Sequence, residues 1–157
     1  MRVWRIGAET RTYKADDLSG GGASLKPGRW NAAGEPVVYA ATSIALAVLE
    51  TAASVDSAGL PLNRFVVAID VPTKIWEKRR EAHASVLPGG WDAVPAGMTS
   101  VSVGSKWLSS KSSVVLTVPS VIVPEEDVVL INPLHHDFAK VTAKTSRRFA
   151  YNTLFRA

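Results

Sequence analysis

The sequence predicts an α+β domain with a mixed β-sheet core and flanking helices. Three observations lead to this fold class: a length of 157 residues, 46% hydrophobic residues beside 20% charged ones, and strand and helix patterns that alternate without a fixed repeat. A domain usually spans about 100–200 residues, and this apolar content is sufficient to form a core. We therefore expect residues 1–157 to form a single domain.

The N-terminal part predicts a strand followed by a long loop. Residues 1–6 alternate between two faces with a period of two, which is typical of a half-buried strand. Residues 16–28 are dense in Gly, Ser and Asp and include three consecutive glycines at positions 20–22, so we expect turns there.

A strand-to-helix unit comes next. Residues 37–41 form a short apolar run, and Thr42 or Ser43 is then placed to cap a helix over residues 44–51. After a connection over residues 53–62, the run 64–71 is the clearest strand pattern in the chain, and Pro72 ends it.

The second half predicts shorter elements separated by prolines. Helix patterns cover residues 74–80 and 101–110, while β-branched runs predict strands over 114–118, 121–123 and 128–131. We expect a last strand over residues 138–142.

Charge and composition narrow the class of partner. The net charge is +4 with a pI near 9.6, which favours an anionic partner. No acidic residue follows Asp137, whereas five basic ones do: Lys140, Lys144, Arg147, Arg148 and Arg156. Two interpretations stay open for this tail, a solvated basic strand or a surface that contacts phosphate.

Several site classes are excluded or disfavoured. The chain has no cysteine, so disulfides, thiolate metal sites and cysteine nucleophiles are excluded. It lacks the dinucleotide-binding, phosphate-loop and Gly-x-Ser-x-Gly motifs, and His135-His136-Asp137 is too compressed to supply three ligands to one metal. We expect no metal site. Because no apolar run approaches the ~18–20 residues of a membrane span and no secretory signal is evident, we expect a cytoplasmic protein.

Five separated blocks carry a family resemblance: residues 26–31 (KPGRWN), 37–41 (VVYAA), 49–51 (LET), 118–125 (VPSVIVPE) and 130–133 (LINP). Their order and spacing resemble the RES-domain family, named for its arginine, glutamate and serine. The matching residues are Arg29, Glu50 and Ser120, with Tyr39 and Asn132 at two further family positions. The resemblance is weakest after Arg148, where residues 149–154 depart from the family's pattern.

The resemblance implies a bacterial toxin of a type II toxin–antitoxin pair with a fold similar to ADP-ribosyltransferases. Such a toxin depletes NAD by cleaving the nicotinamide–ribose N-glycosidic bond, so NAD is its substrate and no cofactor is expected. The implied partner is a helix-turn-helix antitoxin of the Xre type, and either self-association or a toxin–antitoxin hetero-oligomer fits a small domain with exposed strand edges.

The residue types fit this chemistry. Glu50 is the candidate for stabilising positive charge on the ribose in the transition state, and Arg29 for binding the diphosphate or ribose oxygens. Ser120 is expected to orient Glu50 or a ribose hydroxyl and not to act as a nucleophile.

Tyr39 and Asn132 are expected in substrate binding, each with a structural alternative. Tyr39 would stack on the nicotinamide ring or simply pack in the core. Asn132, which precedes Pro133, would touch the ligand or cap a turn.

The leading functional hypothesis is therefore NAD cleavage by hydrolysis or by phosphorolysis with inorganic phosphate. One alternative is ADP-ribosyl transfer to a protein. A second is a basic RNA-binding module or ribonuclease that uses His135 or His136 with the basic tail, although no RNA-binding signature accompanies the charge and direct nucleic-acid binding is not expected. A third is an inactive domain that only binds its partner.

Overall fold

The computed structural model describes residues 1–56 and 58–155 of the chain. Strands and helices alternate along this part in the following order: β1 (Arg2–Ala8), α1 (Gly21–Leu25), β2 (Val38–Ala41), α2 (Ile44–Ala52), β3 (Arg64–Asp70), α3 (Thr73–Glu77), β4 (Arg80–Glu81), α4 (Met98–Ser110), β5 (Val115–Pro119), β6 (Asp127–Ile131) and β7 (Thr142–Phe149), with 3₁₀ helices at Phe138–Lys140 and Tyr151–Leu154. The predicted α+β class is confirmed.

The strands form one mixed sheet in the order β4-β5-β6-β2-β1-β3-β7. The β4–β5 pair is parallel, and the other neighbours pair antiparallel. Strand β3 is paired along its whole length on both sides, whereas β1 and β2 share a single registered pair, Trp4 opposite Ala41. The sheet is therefore open between β1 and β2 over most of their length.

The strongest sequence patterns predict their elements correctly. Strand β3 and helix α2 lie within one residue of the predicted ranges. Of the two candidate caps, Ser43 is the one used, because its side chain accepts a hydrogen bond from the amide of Leu46. Helix α2 buries Leu46, Ala47 and Val48 against the sheet, which fixes the position of the middle of the helix.

Three predictions of local structure are wrong, and one short strand lacks a prediction. The strand predicted over residues 138–142 is instead a 3₁₀ helix at Phe138–Lys140, and the last strand of the sheet is β7. Strand β7 lies at the sheet edge and is rich in exposed basic side chains, so its sequence shows no apolar alternation. Residues 121–123 form bends and not a strand, the expected loop at 16–28 contains the short helix α1, and the two-residue strand β4 was not predicted.

The segment before β2 is held by a buried amide. Asn31 is fully buried; its Oδ1 accepts hydrogen bonds from the Gly28 amide and the Tyr39 hydroxyl, and its Nδ2 donates to three backbone carbonyls. The Tyr39 hydroxyl also accepts from the Trp30 amide at 2.9 Å. Helix α4 lies directly against this segment, since a Cβ on Gly104 would sit 1.7 Å from the Trp30 carbonyl oxygen. Asn31 and Tyr39 therefore fix the position of Arg29.

Two surface features complete the description. The basic side chains of β7, Lys144, Arg147 and Arg148, are exposed, in keeping with a solvated basic strand, and Arg156 lies outside the described residues. Within residues 1–56 and 58–155, no helix combines the length and the apolar character needed to cross a membrane.

The Tyr39 hydroxyl allows a test of whether Tyr39 and Asn31 clamp the segment that carries Arg29. Tyr39→Phe leaves the Trp30 amide without its acceptor, so we expect the free energy of unfolding to fall by about 1–3 kcal/mol in urea titrations at pH 8. Burial raises the pKa of Tyr39 in the folded protein above its ordinary value of 10.0. The stability that the neutral hydroxyl contributes is complete below pH 10 and declines above it, because Tyr39 then ionises in the unfolded chain before it does so in the folded protein. The difference in unfolding free energy between wild type and Tyr39→Phe therefore narrows as the pH rises past 10.

Tyr13→Phe is the matched control, because the Tyr13 hydroxyl makes no hydrogen bond to any residue that the structure describes. Its unfolding free energy should stay within about 0.5 kcal/mol of wild type. Equal effects of the two substitutions would show that the Tyr39 hydroxyl does not clamp the segment.

Candidate functional site

An open cleft of about 1240 Å³ lies where the sheet separates between β1 and β2. It is lined by side chains from both strands, from α2, from the segment that carries Arg29, from the start of α4 and from the turn after β5. Four of the five residues predicted for the site line it: Arg29, Tyr39, Glu50 and Ser120. Residues from widely separated parts of the chain thus meet in one place.

Glu50 and Ser120 are in direct contact. The Ser120 hydroxyl donates a hydrogen bond of 2.6 Å to Glu50 Oε1 and accepts bonds of 3.0 Å from the amides of Ile122 and Val123. A serine hydroxyl has one proton and two lone pairs, so these three bonds use its full capacity. Ser120 is 1% exposed and is held in this orientation by the turn that follows it. It is therefore placed to orient the Glu50 carboxylate.

Arg29 is anchored without being neutralised. Its Nη1 donates to the carbonyl oxygens of Trp91 at 3.0 Å and Ala93 at 2.8 Å. No carboxylate among the described residues forms an ion pair with it. The Trp30 and Trp91 rings stack with their centroids 6.2 Å apart, which strengthens the same contact between segments. The Arg29 guanidinium thus keeps its positive charge available to a ligand.

A second guanidinium, that of Arg5, was missed as a site residue. Arg5 lies in the interior strand β1, lines the cleft, and donates from Nη1 to the Asp17 carbonyl oxygen at 2.8 Å. Burial lowers its pKa, and the nearby Asp17 charge opposes this shift; an arginine nevertheless stays protonated. The sequence contains one indication of this role, because Arg5 stands among the apolar residues of a predicted half-buried strand. A charge in such a place is costly unless a hydrogen bond or an ionic partner stabilises it.

Asn132 does not line the cleft, so the structure does not bring it together with the other four residues predicted for the site. Its side chain is 1% exposed and bridges two segments, because Nδ2 donates to the Leu108 carbonyl and Oδ1 accepts from the Leu134 amide, both at 3.0 Å. Of its two expected roles, the structure shows the turn cap. The Asn132 side chain is buried away from the cleft, so a ligand in the cleft does not reach it.

The Tyr39 hydroxyl is likewise engaged by the protein, although its ring lines the cleft. A Cβ on Gly28 would lie 2.8 Å from the Tyr39 Cζ, so only glycine permits this close approach. The ring supports the backbone of the segment that carries Arg29.

The histidine pair lies outside the cleft. Ligand atoms of His135, His136 and Asp137 lie within 4.8 Å of one another. However, His135 Nδ1 accepts a hydrogen bond from the Asp137 amide, and the Asp137 carboxylate pairs with Lys140 at 2.6 Å, which lowers the Asp137 pKa. These bonds explain the arrangement of the cluster without a ligand, and the cluster lies apart from Glu50 and Ser120, so we assign it neither a metal nor a catalytic role.

Comparison with known proteins agrees with this geometry. The family model described as the RES domain matches residues 2–152. The chain is 51% identical over 149 residues to the Prs ADP-ribosylating toxin of Sphingobium sp. (strain YBL2), covering 95% of this chain and 92% of that one. It is 39% identical over 129 residues to Toxin Res of Photorhabdus laumondii, covering 82% of this chain and 80% of that one.

The fold is also similar to a solved structure, that of the M. tuberculosis MbcT–MbcA toxin–antitoxin complex. The TM-score is 0.67 at 17% identity, with 99% of this chain and 89% of that chain covered. At this identity the likeness bears on the fold alone, whereas the family match and the sequence relatives span nearly the whole chain. The chain belongs to the RES domain family.

Proposed function

We propose that this chain is the toxin of a toxin–antitoxin pair and that it cleaves the bond between nicotinamide and ribose in NAD. The observation that carries the proposal is the Glu50 carboxylate, held by Ser120 in the same cleft as the guanidinium groups of Arg5 and Arg29. The names of the relatives, which are toxins and in one case an ADP-ribosylating toxin, support it. We place the activity in the cytoplasm, where the substrate is found.

Glu50 acts on the ribose. When the bond to nicotinamide breaks, the bonding electron pair leaves with nicotinamide and positive charge develops on C1′ and the ring oxygen. A fixed carboxylate interacts more strongly with this cation than with the neutral ribose, which lowers the barrier. Glu50 lies in the last turn of α2, where the partial negative charge of the helix end acts in the same direction.

Arg5 and Arg29 bind the negative end of the substrate. The diphosphate of NAD carries two negative charges, and a guanidinium offers paired donors that match phosphate oxygens. Both arginines are fixed through Nη1 by backbone carbonyls, which leaves their other nitrogens for a ligand. Binding at this end would hold the ribose of the nicotinamide half beside Glu50.

The first experiment replaces the carboxylate. Glu50→Gln removes the negative charge but keeps the size of the side chain, so we expect the rate of nicotinamide release from NAD to fall at least about 10²–10³-fold. Glu77→Gln, an exposed carboxylate on α3, is the matched control and should act like wild type. Release is measured by chromatography of the reaction mixture.

Ser120→Ala sharpens this test, because it keeps the carboxylate and removes its donor. A hydrogen bond to a charged group is worth about 1.5–3 kcal/mol, so a loss of roughly 10–100-fold is expected. If Glu50→Gln were as active as wild type, or if wild type left NAD intact, the proposal would be wrong.

The acceptor of the ADP-ribosyl group is proposed to be a protein. The relative that is 51% identical is named as an ADP-ribosylating toxin, and this favours transfer over hydrolysis or phosphorolysis. In each case a nucleophile bonds to C1′ as nicotinamide departs, and the proton of the nucleophile passes to a base or to solvent. Water and inorganic phosphate need only the open cleft, and so remain the second candidates.

Three parallel reactions separate these acceptors. Purified toxin is incubated with NAD alone, with NAD and phosphate, and with NAD and a cell lysate, and the products are identified by mass. We expect a gain of one ADP-ribosyl group on a lysate protein, absent with Glu50→Gln. Free ADP-ribose formed at an equal rate in all three reactions would instead favour water as the acceptor, and ADP-ribose 1″-phosphate formed where phosphate is present would favour phosphate.

A cognate antitoxin is proposed as the partner, with the helix-turn-helix Xre type implied by the family resemblance. The cleft mouth carries apolar side chains that water would not favour: Val94 is 82% exposed and Met98 is 73% exposed. A protein that covers this mouth would bury both side chains and block access to Glu50.

Single charge substitutions test this contact. Val94→Glu and Met98→Glu should each weaken the toxin–antitoxin complex at least about 10-fold in titration calorimetry, because a carboxylate would be buried without a partner. Val86→Glu, at a position 73% exposed but outside the cleft, is the control and should bind like wild type. Unchanged affinity in all three variants would place the antitoxin elsewhere.

A further inference from the structure

The 3₁₀ helix at Tyr151–Leu154 packs against the helix that carries Glu50. Tyr151 is 2% exposed, and its hydroxyl donates a hydrogen bond of 2.6 Å to Thr51 Oγ1. Thr51 directly follows Glu50 in the last turn of α2, and all three side chains line the cleft. This contact falls in residues 149–154, where the sequence departs from the family's pattern.

The direction of this hydrogen bond is fixed by the helix. Thr51 Oγ1 lies 2.9 Å from the Ala47 carbonyl and 3.1 Å from the Val48 carbonyl, so its one proton is donated within α2. Thr51 can then only accept from Tyr151. The hydroxyl of Tyr151 is therefore bonded to the backbone turn on which Glu50 is mounted.

The Tyr151 ring is held from its other side. It packs edge-on against Phe149, with ring centroids 4.9 Å apart and an interplanar angle of 86°. Phe149 is the last residue of β7 and pairs with Arg64 of β3, so this contact links the ring to the sheet. Both rings belong to the core cluster that includes Leu46, Ala47 and Val48 of α2.

Building on the proposed NAD cleavage, we infer that Tyr151 is a positioning residue for Glu50. Ser120 orients the carboxylate itself, and Tyr151 fixes the helix turn that carries it. Loss of the Tyr151 hydroxyl lets this turn move relative to the bound ribose. A misplacement of about 1 Å at a reacting centre can cost up to 100-fold in rate, even when substrate binding is unaffected.

The test is a comparison of Tyr151→Phe with Ile69→Val. Tyr151→Phe keeps the ring and removes the hydroxyl; we expect kcat for nicotinamide release to fall about 5–50-fold while KM for NAD stays within about 2-fold. Ile69→Val trims a buried side chain in a different core cluster, away from Tyr151 and the cleft, so it should lower the unfolding temperature and leave kcat near wild type. Thr51→Val combined with Tyr151→Phe should lower kcat no further than the more impaired of the two single variants.

Amide hydrogen exchange of residues 47–52 supplies a readout that does not depend on activity. Exchange should be several-fold faster in Tyr151→Phe than in wild type. If wild type cleaves NAD and Tyr151→Phe has an unchanged kcat, or if kcat falls equally in Ile69→Val, the positioning role is wrong and the proposed function stands. If wild type leaves NAD intact, the proposed function fails, and unchanged exchange in Tyr151→Phe would separately overturn the anchoring of α2.

Discussion

The hydrogen bond from Ser120 to Glu50 is the constraint on which the site depends. The two residues lie 70 positions apart, and their contact joins α2 to the turn between β5 and β6. Because the amides of Ile122 and Val123 use both lone pairs of the hydroxyl, its proton has one direction left, toward the carboxylate. The turn after β5 and the orientation of Glu50 therefore depend on the same hydrogen bonds. Residues 121–123 do not form a strand, because the amides of Ile122 and Val123 bond to Ser120 and not to a neighbouring strand.

The charges of the cleft are fixed without being cancelled. Arg5 and Arg29 are both held by backbone carbonyl oxygens, which accept hydrogen bonds but carry no net charge. Glu50 is held by a neutral hydroxyl. Direct ion pairs between these groups would have satisfied them equally well but would have left little charge for a ligand. The cleft therefore presents separated positive and negative groups, which is the arrangement that the proposed cleavage of NAD calls for.

Much of this arrangement was predictable from the sequence, and the exceptions have physical reasons. Strand β3 and helix α2 have clear periodicity, and the family blocks correctly single out Arg29, Glu50 and Ser120 as residues that meet in one cleft. Whether these residues act on NAD stays a prediction.

The sequence-based predictions fail where burial, and not the periodicity of apolar residues, determines the local structure or the role of a residue. Strand β7 was missed because it lies at the sheet edge and buries little besides Phe149, so its sequence shows no alternation. Asn31 and Asn132 were indistinguishable from ligand-binding or turn residues, because only the fold shows which backbone groups surround a buried amide. The same limit applies to Tyr151, whose partner Thr51 lies 100 residues away in the sequence, so only the folded chain shows that the two side chains are in contact.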